Sequence, residues 1–169
     1  MESIFPVTPS GYTIYCDDVR HEISGKRTFV GIYHAELLVL EFPTILPVFH
    51  AVITFSLRPD DIQQLNGPII FKLILETNSD SQSDATEEVL GTVEMELESR
   101  PTEHSEQIQK ADKKEEQDII IASSIVIRQS PLKLTGPGLI KVRAYNNDKE
   151  WRLGGLRIKH LDKAPAPQI

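Results

Sequence analysis

The sequence has little cysteine, few aromatic residues and no long apolar run. Only one cysteine, Cys16, occurs among the 169 residues, so an internal disulfide is excluded, which is compatible with a reducing compartment. Residues 1–11 contain no cationic start, no apolar core and no small-residue cleavage site, so no secretory signal is predicted. The most apolar stretches, 37–57 and 119–127, are interrupted or too short to span a bilayer. We therefore expect a cytoplasmic protein.

Basic residues are scarce relative to acidic ones. Lys and Arg number 18 and Asp and Glu number 25, which gives a formal net charge of −7. Nucleic acids and anionic membranes both favour dense Lys and Arg, so neither is expected as a partner. The length and the 40% hydrophobic content fit one domain that folds without a disulfide or a metal. We expect that domain over 12–161, an N-terminal arm over 1–11 and a flexible tail over 162–169.

Patterns that would indicate catalysis or a cofactor are absent from the sequence. It contains no GxSxG, HExxH or CxxC motif, and its five histidines are scattered. Cys16 is followed by two aspartates, whose charges oppose formation of the thiolate that a nucleophile needs. The glycines at 136–138 and 154–155 precede no helix pattern, so no phosphate-binding loop is predicted. We expect neither an enzyme activity nor a resident cofactor or metal.

What the sequence does contain is alternation of apolar and polar residues with a period of two. Four segments each predict a strand with one buried face and one solvent-exposed face: 48–57, 69–76, 89–98 and 139–146. The nearly continuous apolar run 119–127 predicts a central strand that is covered on both faces. One short helix is expected, with Asp60 as its N-cap and Gln63 at the capping-box position. With about eight or nine strands in total, the pattern predicts an all-β antiparallel sandwich, immunoglobulin-like or C2-like.

The first strands predict a hairpin with a two-residue turn at 24–25. That turn would set the register, so Val19 should face Val30 across the two strands. It would also bring Glu22 opposite Arg27 as a cross-strand ion pair on the solvent-exposed face.

Two changes of phase and two polar segments complete the pattern. The alternation shifts at 17–18 and again at 154–155, and such a shift is typical of a β-bulge or a tight turn. The segments 77–87 and 99–118 are too polar to bury a face, so both are predicted to be loops. The second is highly charged, and we expect it to be mobile.

The opening of the chain resembles that of a bacterial and phage protein family of unknown function. Its members are similar to F-C-D-D-[IV]-R-x-E-x-x-G-K followed by G-[VI]-Y, and the corresponding residues here run from Tyr15 to Lys26 and from Val30 to Tyr33. The segments 42–47 and 153–158 are similar to that family's F-P-x-x-L-P segment and to its closing strand. The resemblance implies a bacterial or phage origin, and it transfers no catalytic residue.

Candidate binding residues in the opening motif share a polar or charged side chain close to the phase change: Asp17, Asp18, Arg20, Glu22 and Lys26. A carboxylate at a bulge can accept freed backbone N–H groups, and Arg20 can pair with one of the two carboxylates. This interpretation is structural. The alternative is a polar recognition site at a strand edge.

A second candidate group is Trp151 with Arg152, in a C-terminal segment that is rich in Lys and Arg. An aromatic residue beside a cation is typical of an interface, and a basic face could bind an acidic partner. The structural explanation is that these charges lie on a solvent-exposed face and protect a strand edge from pairing.

These features predict a non-catalytic binding or adaptor protein that engages another protein through sheet edges and loops. A homodimer is a second outcome that exposed edges favour. The alternative function is a small-ligand or Ca²⁺ binder that uses loop carboxylates or the basic face. The stretch 78–84 is similar to the opening of a calcium loop, but it lacks the glycine and the bidentate glutamate of an EF-hand.

Overall fold

The computed structural model describes residues 8–77, 86–97 and 120–161, and this part of the chain is mostly β. In chain order the elements are β1 (Ser10–His21), β2 (Arg27–Tyr33), β3 (Glu36–Val39), β4 (Thr44–Leu46), β5 (Phe49–Leu57), α1 (Pro59–Gln64), β6 (Ile69–Thr77), β7 (Thr86–Met95), β8 (Ile121–Gln129), β9 (Leu132–Leu134), β10 (Gly138–Asn146) and β11 (Lys149–His160). The predicted mobile loop 99–118, the tail 162–169 and most of the predicted N-terminal arm lie outside the described residues.

The strands form three sheets. A four-stranded sheet has the order β2-β1-β5-β8, a five-stranded sheet has the order β3-β11-β10-β6-β7, and β4 pairs with β9. The all-β prediction is confirmed, but the described residues hold eleven strands instead of eight or nine. Since β4 and β9 span only three residues each, they are too short for a period of two to be recognised.

The predicted antiparallel arrangement is wrong at one pair, because β3 runs parallel to β11. Alternation of apolar and polar residues reports which face a side chain occupies, but it carries no information about strand direction. The chain passes from β2 at the edge of the four-stranded sheet to β3 at the edge of the five-stranded sheet. The parallel contact follows from that change of sheet.

The central strand of the four-stranded sheet is β5, while β8, predicted to be central, lies at the edge. In β8 only Ile127 is fully buried, whereas β5 buries both of its faces from Phe49 to Ile53. The prediction of a central strand from the apolar run 119–127 is therefore wrong. The polar residue His50 led to the prediction that β5 has a solvent-exposed face, although its ring is buried.

Most of the buried side chains of the two larger sheets belong to one apolar cluster. Phe55 on β5 meets Phe71 on β6 edge to face, with ring centroids 5.4 Å apart. It also meets Trp151 on β11 edge to face at 5.7 Å. Aromatic pairs of this geometry add about 0.5–1.5 kcal/mol beyond burial, so Phe55 is a strong link between the two sheets.

The short helix and the second phase change lie near their predicted places. The helix starts two residues early, because Pro59 begins it and the Asp61 carboxylate accepts a hydrogen bond from the Arg58 backbone N–H at 2.7 Å. Asp60 is therefore not the N-cap. On β11 the register with β10 shifts so that Leu153 has no opposite residue beside Gly154, which confirms the predicted bulge.

Candidate functional site

The predicted hairpin of β1 and β2 is present, but its register is one residue away from the prediction. Val19 lies opposite Phe29, and His21 lies opposite Arg27. The predicted contacts of Val19 with Val30 and of Glu22 with Arg27 are therefore wrong.

The register differs because the turn has three residues and not two. The Gly25 N–H donates to the Glu22 carbonyl at 2.9 Å, and the Glu22 N–H donates to the Lys26 carbonyl at 2.9 Å. Gly25 has a φ of +78°, in the left-handed region that favours glycine. This is a type I turn closed by a left-handed glycine, the usual three-residue hairpin connection.

The far half of the hairpin lies back across the four-stranded sheet. The Arg27 guanidinium donates to Ser124 Oγ on β8 at 2.6 Å. Ser124 pairs with Thr54 on β5, and Thr54 pairs with Tyr12 on β1. Arg27 pairs with His21, which lies nine residues further along β1 than Tyr12. If β1 were straight, Arg27 and Ser124 would be about 30 Å apart along the strand direction, at roughly 3.3 Å per residue. The hairpin must therefore bend and fold over the outer face of the sheet.

The bend lies where β1 leaves β5, next to Asp17. Gly31 on β2 has a φ of +66°, and a Cβ added to it would fall 2.0 Å from Asp17 Oδ2. Asp17 Oδ1 accepts a hydrogen bond from the Tyr33 hydroxyl, and His50 Nδ1 lies 3.0 Å from the Asp17 carbonyl oxygen. The residues that match the opening motif thus meet in space: the aspartate occupies the room that the glycine leaves, and the tyrosine holds it.

The contact of Asp17 differs from the predicted one. The pairing of β1 with β2 keeps one register from Tyr15 to His21, so no bulge frees backbone N–H groups there. Asp17 instead accepts a hydrogen bond from the phenol hydroxyl of Tyr33. Burial and the hydrogen bond to this carboxylate raise the pKa of Tyr33, which keeps its hydroxyl protonated as a donor.

Two residues are buried beneath the folded hairpin, on the side of the sheet away from the main core. Cys16 and Val52 are almost fully buried, although neither belongs to the main apolar cluster. Burial raises the pKa of the Cys16 thiol, and the neighbouring Asp17 and Asp18 raise it further. The arrangement favours a neutral thiol packed under a hairpin over an ionised nucleophile.

The predicted contact of Arg20 is confirmed. Its Nε donates to Asp18 Oδ2 at 3.1 Å, and this hydrogen bond lowers the pKa of the Asp18 carboxyl. Both side chains are exposed, so the pair contributes little to stability. Asp17 and Asp18 are adjacent in a strand and point to opposite faces, so they do not share a ligand position.

Carboxylates do not gather elsewhere in the part of the chain that the structure describes. No group of three or more His, Cys, Asp or Glu side chains there could hold a metal ion. The calcium-like stretch 78–84 lies outside the described residues.

The tip of the hairpin presents one large apolar side chain. Ile23 is fully exposed between Glu22 and Lys26, both of which are exposed as well. Glu22 is oriented by a hydrogen bond from Thr28 Oγ1 to its Oε1 at 2.8 Å. Sequence reasoning missed Ile23, because the assumed two-residue turn excluded it from the loop and placed it in phase with Val19.

Two further aliphatic residues are exposed on the same hairpin. Val30 and Ile32 lie on β2, at the edge of the four-stranded sheet, on either side of Gly31. Together with Ile23 they form what we call the hairpin surface. Its charged neighbours are Arg20 and Lys26, two of the predicted site residues.

Trp151 and Arg152 are not part of this surface. Trp151 is half-buried against Phe55, and Arg152 is exposed beside it on β11. Phe55 lies five residues along β5 from His50, which contacts Asp17, so the two predicted groups are about 17 Å apart along the sheet. The contact of Trp151 is one of core packing.

Carboxylates neutralise part of the basic C-terminal segment. Three of its cations are ion-paired: Lys141 with Glu76 and Glu87, Arg143 with Glu150, and Lys159 with Glu36. Hydrogen bonds to the two glutamates raise the pKa of Lys141, whose side chain is nearly buried. This pattern supports the structural explanation of the basic segment.

An open cleft of about 740 Å³ lies between the start of β7 and the connection from β8 to β9. Its walls include Val89, Leu132 and Lys133. Beside it, the Gln129 side-chain amide donates to the Leu90 carbonyl at 2.7 Å and so ties β8 to β7. The cleft mixes apolar and polar groups without a converging set of charges, so its chemistry indicates no particular ligand.

In comparisons with protein-family models, with curated proteins and with solved structures, nothing matches this chain. The resemblance in the opening motif therefore stays a prediction. Among the described residues, no helix is long and apolar enough to cross a membrane.

Proposed function

We propose that this chain is a non-catalytic binding protein of bacterial or phage origin that engages another protein through the hairpin surface. The observation that carries the proposal is Ile23, a large aliphatic side chain that is fully exposed on a closed, three-residue turn. An exposed aliphatic residue on an ordered turn, ringed by charges, is the arrangement of a binding hot spot with a polar rim.

The hairpin holds Ile23 in place before any partner arrives. Two backbone hydrogen bonds close the turn, and the bond from Arg27 to Ser124 ties the hairpin to the sheet. A backbone that is already ordered loses less conformational entropy on binding, so more of the buried area contributes to affinity. A tip of this kind is therefore suited to entering a pocket on a partner.

The scaffold that we propose is a mainly antiparallel β-sandwich of immunoglobulin-like or C2-like type. The single apolar cluster shared by the two larger sheets supports it. A cytoplasmic location is supported by the one cysteine, which is buried as a thiol. The net charge of −7 supports a protein partner over a nucleic acid or an anionic membrane.

The alternative, a small-ligand or Ca²⁺ binder, stays a prediction. It depends on loop carboxylates that include 78–84, outside the described residues.

The proposal is tested by recovering tagged protein from its own source cells and quantifying the co-purifying proteins by mass spectrometry. Ile23→Asp is compared with the wild type and with Ile45→Asp, a control at another exposed aliphatic position, on β4. We expect at least one protein whose recovery falls about tenfold or more with Ile23→Asp, since loss of a hot spot removes 2 kcal/mol or more. Recovery with Ile45→Asp should equal that of the wild type.

Circular dichroism and thermal unfolding establish that both variants are folded. If no co-purifying protein distinguishes Ile23→Asp from the control, the hairpin surface is not the binding site and the proposal is wrong.

A further inference from the structure

The two larger sheets have four edge strands, and three of these are obstructed. On β2 the left-handed Gly31 interrupts the edge, and β8 is contacted at Ser124 by the folded hairpin. On β7 the glutamates at 87, 88 and 94 surround the edge, and Gln129 occupies the Leu90 carbonyl. Charges, an irregular backbone and side chains that contact the edge all oppose pairing with another strand.

The fourth edge, β3, carries one charge, Glu36, which is paired with Lys159. From 37 to 39 it contains no charged residue, proline or glycine, its pairing with β11 is regular, and the chain bends only from Leu40 onward. The Arg157 N–H donates to the Ala35 carbonyl at 3.1 Å, and the Leu161 N–H donates to the Val39 carbonyl at 2.7 Å. In a parallel pair alternate residues bond to one neighbour, so the backbone groups of Leu38 point to the open edge. The Leu40 N–H points there as well, because it lies opposite the bonded Val39 carbonyl across a trans peptide.

Three leucines cover the outer side of this edge, and we call them the leucine corner. Leu38 is 50% exposed, Leu40 is 76% exposed, and Leu161 at the end of β11 is 41% exposed. The adjacent charges, Glu36 and Lys159, form an ion pair with each other. The corner is thus apolar, electrically balanced and equipped with free backbone donors and acceptors.

We propose that the leucine corner binds the same surface of a second copy of this chain, with the two β3 strands antiparallel about a two-fold axis at Val39. In that register Leu38 lies opposite Leu40 of the partner subunit, and the same pair occurs again across the axis. In each pair the Leu40 N–H can donate to the carbonyl of Leu38 of the partner subunit. The two five-stranded sheets become one continuous sheet.

A second copy fits this edge because the edge is complementary to itself. A two-fold interface requires that one patch supply both halves of every contact, and a run of aliphatic residues about Val39 does so. The ion pair of Glu36 with Lys159 removes the local charge that would otherwise repel an identical chain of net charge −7. The dimer is formed by β3, whereas the proposed function is carried by Ile23 at the tip of the hairpin, so different substitutions test the two proposals.

Analytical ultracentrifugation of the full chain from about 1 to 100 µM tests the dimer, since weak homodimers dissociate in this range. We expect a concentration-dependent dimer for the wild type. Leu38→Lys should raise the dissociation constant by about tenfold or more, because a lysine on the edge opposes burial and strand pairing. Ile45→Lys, a substitution at a similarly exposed aliphatic residue on β4, should leave the dissociation constant unchanged.

Hydrogen exchange gives a second, site-specific measurement. The amide of Leu40 should exchange more slowly as the concentration rises, because it becomes hydrogen-bonded only in the dimer. A wild type that stays monomeric, or a dimer that Leu38→Lys does not weaken, overturns the proposal. Loss of a different co-purifying protein with Leu38→Lys, from a wild type that is monomeric, would assign the corner to another partner. Ile23→Asp should leave the dimer intact, which separates this proposal from that for the hairpin.

Discussion

Asp17 and Gly31 form the smallest unit on which the position of the hairpin depends. The carboxylate of Asp17 lies where a side chain at residue 31 would be, and Tyr33 donates to it. A glycine is needed at 31 for two separate reasons, the positive φ and the lack of room for a Cβ. The two reasons can be separated by experiment, because Gly25 has only the first.

Gly31→Ala should therefore destabilise the protein more than Gly25→Ala. Alanine at Gly25 meets nothing within 4 Å, so it costs only the left-handed backbone strain, about 1–2 kcal/mol. At Gly31 the same strain is joined by displacement of Asp17 from Tyr33, for a total of roughly 2–4 kcal/mol. Urea denaturation of both variants measures the difference. Equal losses would show that the contact with Asp17 contributes nothing.

At this scale the sequence predicts local contacts better than distant ones. The pair of Arg20 with Asp18 spans two residues and was predictable, because both side chains lie on one face of a strand. The contact of Asp17 with Tyr33 spans sixteen residues and depends on the hairpin register. An error of one residue in that register moved every cross-strand pair, so the contact could not be found.

Among the elements, the β1–β2 hairpin is the least expected, because its far half covers a face of a sheet to which it also belongs. The hydrogen bond of Arg27 to Ser124 ties it to the far edge of that sheet, and Cys16 is buried beneath. Since Cys16 is the only cysteine, its reactivity reports how often the hairpin opens.

Arg27→Ala should accelerate labelling of Cys16 by a thiol reagent about five- to tenfold. Burial raises the pKa of this thiol, so labelling proceeds through open states. Loss of one hydrogen bond from a charged donor makes opening easier by roughly 1–1.5 kcal/mol, which corresponds to that factor. The control is Arg20→Ala, on the same hairpin, whose guanidinium bonds to Asp18 instead. Equal labelling rates in both variants would mean that Arg27 does not hold the hairpin down.

The elements also show where periodicity is informative. It found β5, β6, β7, β10 and the bulge of β11, because each has apolar residues on one face over many positions. It predicted β8 to be the strand buried on both faces, whereas β5 is that strand. Burial on both faces depends on neighbouring strands that are distant in sequence. His50 is buried on β5, and the isoleucines that begin β8 are exposed, which is the reverse of what polarity alone indicates.

For the whole molecule, alternation of apolar and polar residues predicted the kind of secondary structure but not its arrangement. It predicted a mostly β domain, and the described residues confirm it. The order of strands in the sheets and the parallel pair of β3 with β11 were not predictable, since sequence alternation is the same for every arrangement of the strands. The exposed edge of β3 is therefore a property of the topology, which no local pattern contains.

Net charge and the proposed dimer lead to a prediction at this scale about salt. Each copy carries −7, so two copies repel one another over the whole surface, whereas the leucine corner is apolar and locally balanced. Raising the ionic strength from about 0.02 to 0.5 M shortens the screening length and should lower the dimer dissociation constant several-fold. Sedimentation equilibrium of the wild type at several salt concentrations measures this, with sodium chloride as the only variable. A dissociation constant that rises with salt would mean that attraction between opposite charges holds the two copies together, and a different surface would then have to form the interface.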